Sequence, residues 1–375
     1  MLSKNINFQN FKKVKKIKKI SKIFENLLKD QPPFFETLKP TYKYSYSKRA
    51  LSKYKKFLNI RIIGMGGSVL GSEAIHDFLK KKIKKKLTFV NNLNNIDDYL
   101  QDKNINLNLI ISKSGNTLET IANSNTLIKK KDSNIIITEN KESYLTNLAS
   151  QLKAEIFEHK NYVGGRYSVL SEVGMLPAEL MNLNENKFKQ FNNLIKNKIF
   201  VNNLINNGKF ASVILNYDEQ SESLFKWYQQ LIAESLGKKS KGILPIISSM
   251  PKDNHSLMQF YLDGPKKSFY TFFNTLDNNA TKMQNNNILF SHKYLKNQSI
   301  QKIKQSQMLA TEKVFISKKI PFRSFRVLKR DEKSLGELFC FFILETILLG
   351  RALNVNPFDQ PSVELIKKET KKVLS

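Results

Sequence analysis

Six short stretches hold residue types whose spacing could do chemistry. Gly164 and Gly165 stand directly before Arg166 in VGGRYSVLSEVG, residues 163–174. A turn free of side chains brings backbone close to a ligand, and the guanidinium after it holds a fixed charge over an anion. GMGGS, residues 64–68, repeats the idea with Gly67 and Ser68. In SKSGNTLET, residues 112–120, hydroxyls and amides crowd one loop: Ser112, Ser114, Asn116 and Thr117, with Lys113 to add charge. Hydroxyls and free helix-start N–H groups suit a phosphate, which accepts from every side. In WYQQLIAESLGK, residues 227–238, the helical period puts Trp227, Gln230, Leu231 and Glu234 on one face. A carboxylate on an inward-facing apolar stripe is costly unless used or paired, so Glu234 is a candidate base. His255 in DNHS is a candidate proton carrier. NVNPFDQPSVELIKK, residues 354–368, starts at a proline-fixed turn and enters a helix with Gln360, Glu364, Lys367 and Lys368. Each stretch also has a plain structural reading: a glycine turn, a capped helix, a solvated face, lysines closing a helix dipole.

These residues need strands and helices to place them. NIRIIGMGGSVLGSEAIHDFL reads as strand, glycine turn and helix, with Ser68 as the helix cap. LNLIISKSGNTLETIANSNTLIKK repeats the pattern, and SNIIITEN is a third strand. After a helical middle, FASVILNY, GILPIIS and KSFYTFFN read as strands around the helix SESLFKWYQQLIAESLGKK. This βα alternation predicts an α/β fold with parallel sheets in two halves, broken near residues 185–205. The Asn-rich NTLDNNATKMQNNN reads as a loop. The first residues, NFKKVKKIKKISKIFENLL, carry Phe11, Val14, Ile17, Ile20 and Ile23 in helical period. LFCFFILETILLG is too short to span a bilayer and contains Glu345, so it reads as a buried helix.

Composition narrows the class. The chain has 375 residues, comfortable for two domains, and 41% are hydrophobic, enough for a core. Cys340 stands alone, so no intrachain disulfide forms, and a reducing, cytoplasmic setting is expected. The four histidines lack metal-cage spacing. The net charge is +30, from 62 basic and 32 acidic residues. The lysines are spread along the chain without interleaved aromatics, which argues against specific nucleic-acid binding. No signal-peptide core precedes the fold, and no membrane association is expected. GMGGS lacks both the Rossmann spacing and the Walker lysine, so nucleotide binding is not supported.

Taken in order, GMGGS, SKSGNT, GGRYSVLS, QQLIAES-GK, DNHS, LDGP and NPFDQPSVE..K resemble glucose-6-phosphate isomerases in their shorter bacterial form. The resemblance covers roughly residues 60–370. It implies two sugar-isomerase (SIS) domains, each a three-layer α-β-α sandwich around a parallel sheet, with helical N- and C-terminal extensions. The expected boundaries are 1–50 for the N-terminal helical extension, 51–190 and 191–345 for the two SIS domains, and 346–375 for a C-terminal active-site segment and helix.

The resemblance also implies aldose–ketose isomerisation of a sugar phosphate through an enediolate, without cofactor, in a homodimer. By position, Glu234 matches the proton-shuttling base and Arg166 the arginine facing the enediolate. His255 matches the ring-opening histidine, supplied across the dimer interface. Lys367 matches a lysine near the ring oxygen, with Lys368 its neighbour. Ser112, Lys113, Ser114 and Thr117 match phosphate-loop positions; Gly67, Ser68 and Gln360 match sugar contacts. Three departures stand out: SKSGNT where many members read SKTFTT, Asn254 where glutamine is usual before the histidine, and Ser362 where glycine is usual. The first leaves room for mannose 6-phosphate. A dual phosphoglucose/phosphomannose isomerase would lack the full GGRYSVLS and NPFDQP blocks. A sugar-phosphate sensor would lack the base or the arginine.

Overall fold

The computed structural model describes residues 4–10, 18–94, 107–129, 131–192, 210–276 and 290–375. Two five-stranded sheets organise them. The first contains β2 (Asn59–Gly64), β3 (Lys86–Val90), β4 (Leu107–Ile111), β5 (Ser133–Thr138) and β6 (Glu155–Glu158), all parallel, in the order β3-β2-β4-β5-β6. Its central strands are nearly continuous apolar runs, because both faces are covered. Ile62, Leu109 and Ile137 face one core with Val69, Val173 and Leu176. Ile63, Ile110 and Ile136 face the other, with Leu127, Leu145 and Ala149. The connecting helices supply those partners: α3 (Leu70–Leu79), α4 (Leu118–Leu127), α5 (Tyr144–Leu152) and α6 (Glu172–Leu180), after α1 (Lys18–Asp30) and the short α2 (Lys48–Ser52).

The second sheet has the order β1-β10-β9-β7-β8, from β1 (Ile6–Asn10), β7 (Ala211–Asn216), β8 (Leu244–Ser249), β9 (Ser268–Thr275) and β10 (Phe322–Val327). Val213, Leu215, Tyr270 and Phe272 meet Met308 and Phe315 of α9 (Ile300–Ser317). Ile214, Phe273 and Phe325 enter the largest core with α7 (Glu222–Leu236) and α10 (Glu332–Leu353). The short α8 (Met258–Asp263) follows β8, and α11 (Pro361–Leu374) closes the chain. Each sheet thus lies between helices, and the expected α/β architecture with parallel sheets is present.

Some expectations need correction. The leading residues, expected to be helical, carry strand β1, which pairs antiparallel with β10 and sends Ile6 and Phe8 into the largest core. Its apolar residues alternate at period two, a signal shorter than the lysine-rich helical period beside it. Among the described residues the helix spans Lys18–Asp30; Phe11, Val14 and Ile17 lie outside them. Residues 193–205 of the expected break and 277–287 of the Asn-rich loop lie there too. The buried helix is real but long: α10 runs across residue 345, and Glu345 faces the buried Arg323. Ser68 does not cap α3. Gly66–Ser68 instead form a tight 3-10 turn, and Val69 takes the cap position without a side-chain bond.

Strand order explains where a site can sit. The connection after β2 leads to β3 on one side, and the connection after β4 leads to β5 on the other. Such a switch point opens a crevice at the carboxyl ends of the strands. GMGGS follows β2 and SKSGNT follows β4, on either side of that crevice. The second half approaches it through α7, which packs along α3; Ser223 of α7 hydrogen-bonds Asp77 of α3.

Candidate active site

The two glycine turns touch. A Cβ on Gly67 would lie 2.2 Å from the Gly165 carbonyl oxygen and 2.7 Å from the Arg166 nitrogen. Only glycine permits that approach. The Ser168 hydroxyl locks the contact, donating to the Gly165 oxygen at 2.7 Å and the Gly67 oxygen at 3.3 Å. A Cβ on Gly165 would meet nothing within 4 Å, so this turn presents bare backbone to open space.

Arg166 follows, only 2% exposed, and all five of its N–H groups are engaged. Nε donates to Ser235 Oγ at 2.7 Å. Nη1 donates to Glu234 Oε1 at 3.0 Å and to Gln360 Oε1. Nη2 donates to the carbonyls of Pro357 at 2.6 Å and Asp359 at 3.0 Å. The guanidinium therefore joins the first half, the end of α7 and the C-terminal segment. Tyr167 follows the same route: its hydroxyl reaches Ser235 and the Pro357 carbonyl, each at 2.9 Å, and burial raises its pKa against the pull of Arg166.

Glu234 is the partly open member, with its side chain 19% exposed. Its second oxygen accepts from Gln230 Nε2 at 2.9 Å. The same nitrogen lies 2.9 Å from where a Cβ on Gly66 would stand, and Gly66 has φ +53°. Gln230 thus spans base and glycine turn, and among the described residues its buried Oε1 has no hydrogen-bond partner. Trp227 and Leu231, earlier on the same helix, are buried and anchor the face.

The C-terminal segment is clamped from the turn after α7. Lys238 Nζ lies 2.7 Å from Asp359 Oδ1 and donates to the Asn356 carbonyl; Lys241 Nζ donates to the Leu353 carbonyl at 3.0 Å. The hydrogen bond from Lys238 holds the Asp359 carboxyl below its ordinary range.

The loop after β4 is built on Gly115, at φ +69°, where a Cβ would lie 2.2 Å from Ser143 Oγ. Ser112 and Thr117 share a hydroxyl–hydroxyl bond of 2.9 Å, and Ser114 Oγ accepts from the Asn116 nitrogen at 3.2 Å. Thr117 precedes α4 without capping it by its side chain, so this hydroxyl serves the loop. Lys113 points elsewhere: its Nζ donates to the Asn161 carbonyl at 2.7 Å and lies 3.7 Å from Glu139 Oε1. Burial lowers its pKa, with Glu139 opposing.

The structure thus brings Gly67, Arg166, Glu234 and Gln360 together, with Ser68 next to Gly67, and the loop of Ser112, Ser114 and Thr117 follows β4, the neighbour of β2. It does not bring in His255 or Lys367. His255 ends an exposed 3-10 turn, Lys252–His255, and among the described residues no hydrogen bond or ion pair joins it to Arg166 or Glu234. Lys367 lies on α11, which has no buried residue, and its Nζ pairs with Glu364 at 2.7 Å. Sequence reasoning missed Gln230, Ser235, Tyr167 and Lys238 as site residues. The one available signal was spacing, since Gln230 stands one helical turn before Glu234.

The chain is similar to known proteins in sequence and in fold. The family described as phosphoglucose isomerase matches residues 47–203. Glucose-6-phosphate isomerase of Methanocaldococcus jannaschii is 33% identical over 351 residues, covering 85% of each chain. That of Acholeplasma laidlawii is 32% identical over 362 residues, covering 86% of this chain and 84% of its own. Among solved structures, a hypothetical protein from Thermus thermophilus superposes with a TM-score of 0.84 at 22% identity, covering 95% of this chain and 94% of its own. Glucose-6-phosphate isomerase from Chlamydia trachomatis gives 0.71 at 18% identity, covering 87% and 72%.

Proposed function

The chain belongs to the phosphoglucose isomerase family, and from that premise we propose that it interconverts glucose 6-phosphate and fructose 6-phosphate through an enediolate with Glu234 as base. The observation that carries the reading is the 3.0 Å contact between Arg166 Nη1 and Glu234 Oε1 beside two touching glycine turns. Isomerisation moves one proton between neighbouring carbons and another between the oxygens they bear, while negative charge grows on an oxygen. Glu234 takes the proton from one carbon and returns it to the other. Arg166 holds the fixed positive charge that favours the oxyanion. Because its N–H groups are all engaged, an incoming sugar oxygen competes with Gln360 Oε1 for Nη1. Ser112, Ser114 and Thr117, with the N–H groups at the start of α4, hold the phosphate. Gly67, Ser68 and Gln360 contact the sugar.

The remaining roles need chain that this site does not gather. In this reading the enzyme works as a homodimer in the cytoplasm, and the partner's copy of His255 opens the sugar ring. Its exposed place on the surface supports that assignment. Lys367 serves the ring oxygen when α11 lies over the site. Proton transfer beside a fixed cation requires no cofactor.

A coupled assay tests the reading: fructose 6-phosphate is supplied, and glucose 6-phosphate is detected by its dehydrogenase. Wild-type protein is expected to turn over, and Glu234→Gln to lose about 10²–10⁴ in kcat. A folded wild type without turnover overturns the isomerase; full activity in Glu234→Gln overturns the base.

A further inference from the structure

Lys113 sits in the loop assigned to phosphate, yet its ammonium is turned toward protein. Its backbone carbonyl accepts from the Glu139 nitrogen at 3.1 Å and Thr138 Oγ1 at 3.4 Å, at the end of β5. Its side chain then crosses that strand end to reach the Asn161 carbonyl beyond β6, with Glu139 beneath. Glu139 is balanced from its other side by Lys141. One residue therefore spans the ends of three neighbouring strands. The segment it grips is short and ordered. His159 N donates to the Thr138 carbonyl at 2.8 Å, and the Val163 nitrogen closes a turn on the Lys160 carbonyl at 3.1 Å. Gly164, Gly165 and Arg166 follow at once.

We propose that Lys113 is a positioning residue rather than a phosphate ligand: by holding the Asn161 carbonyl it sets the distance between the phosphate loop and the Arg166–Glu234 pair. A sugar phosphate is gripped at one end by its phosphate and reacts at the other. The span between the two grips decides whether the reacting carbons lie against the base. A slack strut leaves both grips intact and misplaces one against the other. An error of about 1 Å in such a placement can cost about 10²-fold in rate.

The inference rests on the isomerase reading, and the test keeps the two apart. Wild type, Lys113→Met and Lys113→Arg are compared for kcat, for KM with fructose 6-phosphate, for competitive inhibition by inorganic phosphate and for thermal midpoint. Methionine keeps an unbranched stem and loses the donor; arginine keeps a donor. The expected result is a fall of about 10- to 100-fold in kcat for Lys113→Met, with phosphate inhibition unchanged and much of the loss restored in Lys113→Arg. Weakened phosphate inhibition with kcat preserved would make Lys113 a direct ligand and overturn the proposal. A lower thermal midpoint with unchanged kcat and KM would reduce it to a structural tie, and overturn it as well. An inactive wild type would instead strike the isomerase reading.

Discussion

At the scale of single residues, the glycines divide by what their neighbours demand. Gly165 has room for a side chain, whereas Gly67 has the Gly165 carbonyl where a side chain would go. The two turns are one object, and its keystone is the glycine in the plainer motif. Gly67→Ala must push backbone from backbone and is expected to cost about 1–3 kcal/mol of stability. Gly165→Ala is expected to leave stability unchanged. Urea unfolding of the two variants beside wild type measures the contrast; equal effects would contradict the contact. Arg166 shows a related economy. A buried guanidinium with five satisfied donors both orders the site and carries the charge that the proposed chemistry needs.

At the scale of elements, the segment after β6 leads into the arginine turn through two buried residues, His159 and Val163. His159 is 2% exposed, and its pKa falls to about 4, chiefly from burial. The Lys160 carbonyl bonds its ring at 3.1 Å and opposes the shift; nearby Lys113 adds to it. The folded protein thus holds this ring neutral where the unfolded chain, at an ordinary 6.5, still binds a proton. The unfolded state binds more protons between about pH 4 and 6.5, so stability rises with pH across that window and is lost as pH falls through it. The full contribution is about 3 kcal/mol. His159→Asn keeps a donor without the titration and is expected to flatten the dependence. Denaturant titrations at pH 4.5, 5.5 and 6.5 would show it. A wild-type slope surviving in the variant would place the titration elsewhere.

At the scale of the molecule, two halves meet along α3 and α7 and share the largest core with α10. Arg330 bridges them, donating to Asp218 at 2.7 Å and to the Phe78 carbonyl at 3.3 Å. The second half also carries a buried ion pair. Arg323 donates to both oxygens of Glu345 and to Thr271 Oγ1 at 3.0 Å. Breaking such a pair strands a charge in the core. Glu345→Gln is therefore expected to destabilise by about 3–5 kcal/mol, while Arg323→Met with Glu345→Leu recovers most of the loss. Chemical unfolding of the three proteins decides it; a mild single substitution would mean that water reaches the arginine.

The sequence by itself determined the fold class, the order of the motifs and which glutamate and arginine are the candidates for base and charge. Those are local properties: Ile60–Ile63 and Leu107–Ile111 read as covered strands because apolar runs between glycine turns have few other uses, and the stretches around Arg166 and Glu234 are distinctive in type and spacing. The edge strands β3 and β6 escaped, because each is short and mixes charged with apolar residues and so lacks a continuous apolar run. Strand β10 escaped as FRSFRV, since the partner that allows Arg323 to be buried lies 22 residues away. Tertiary structure alone decided which glycine the turns require, that Arg166 spends its donors on two distant segments, and that Lys113 reaches Asn161 across 48 residues. Local pattern fixes what a residue is able to do. Which atoms it meets depends on chain closure over long separations, and no short stretch contains that information.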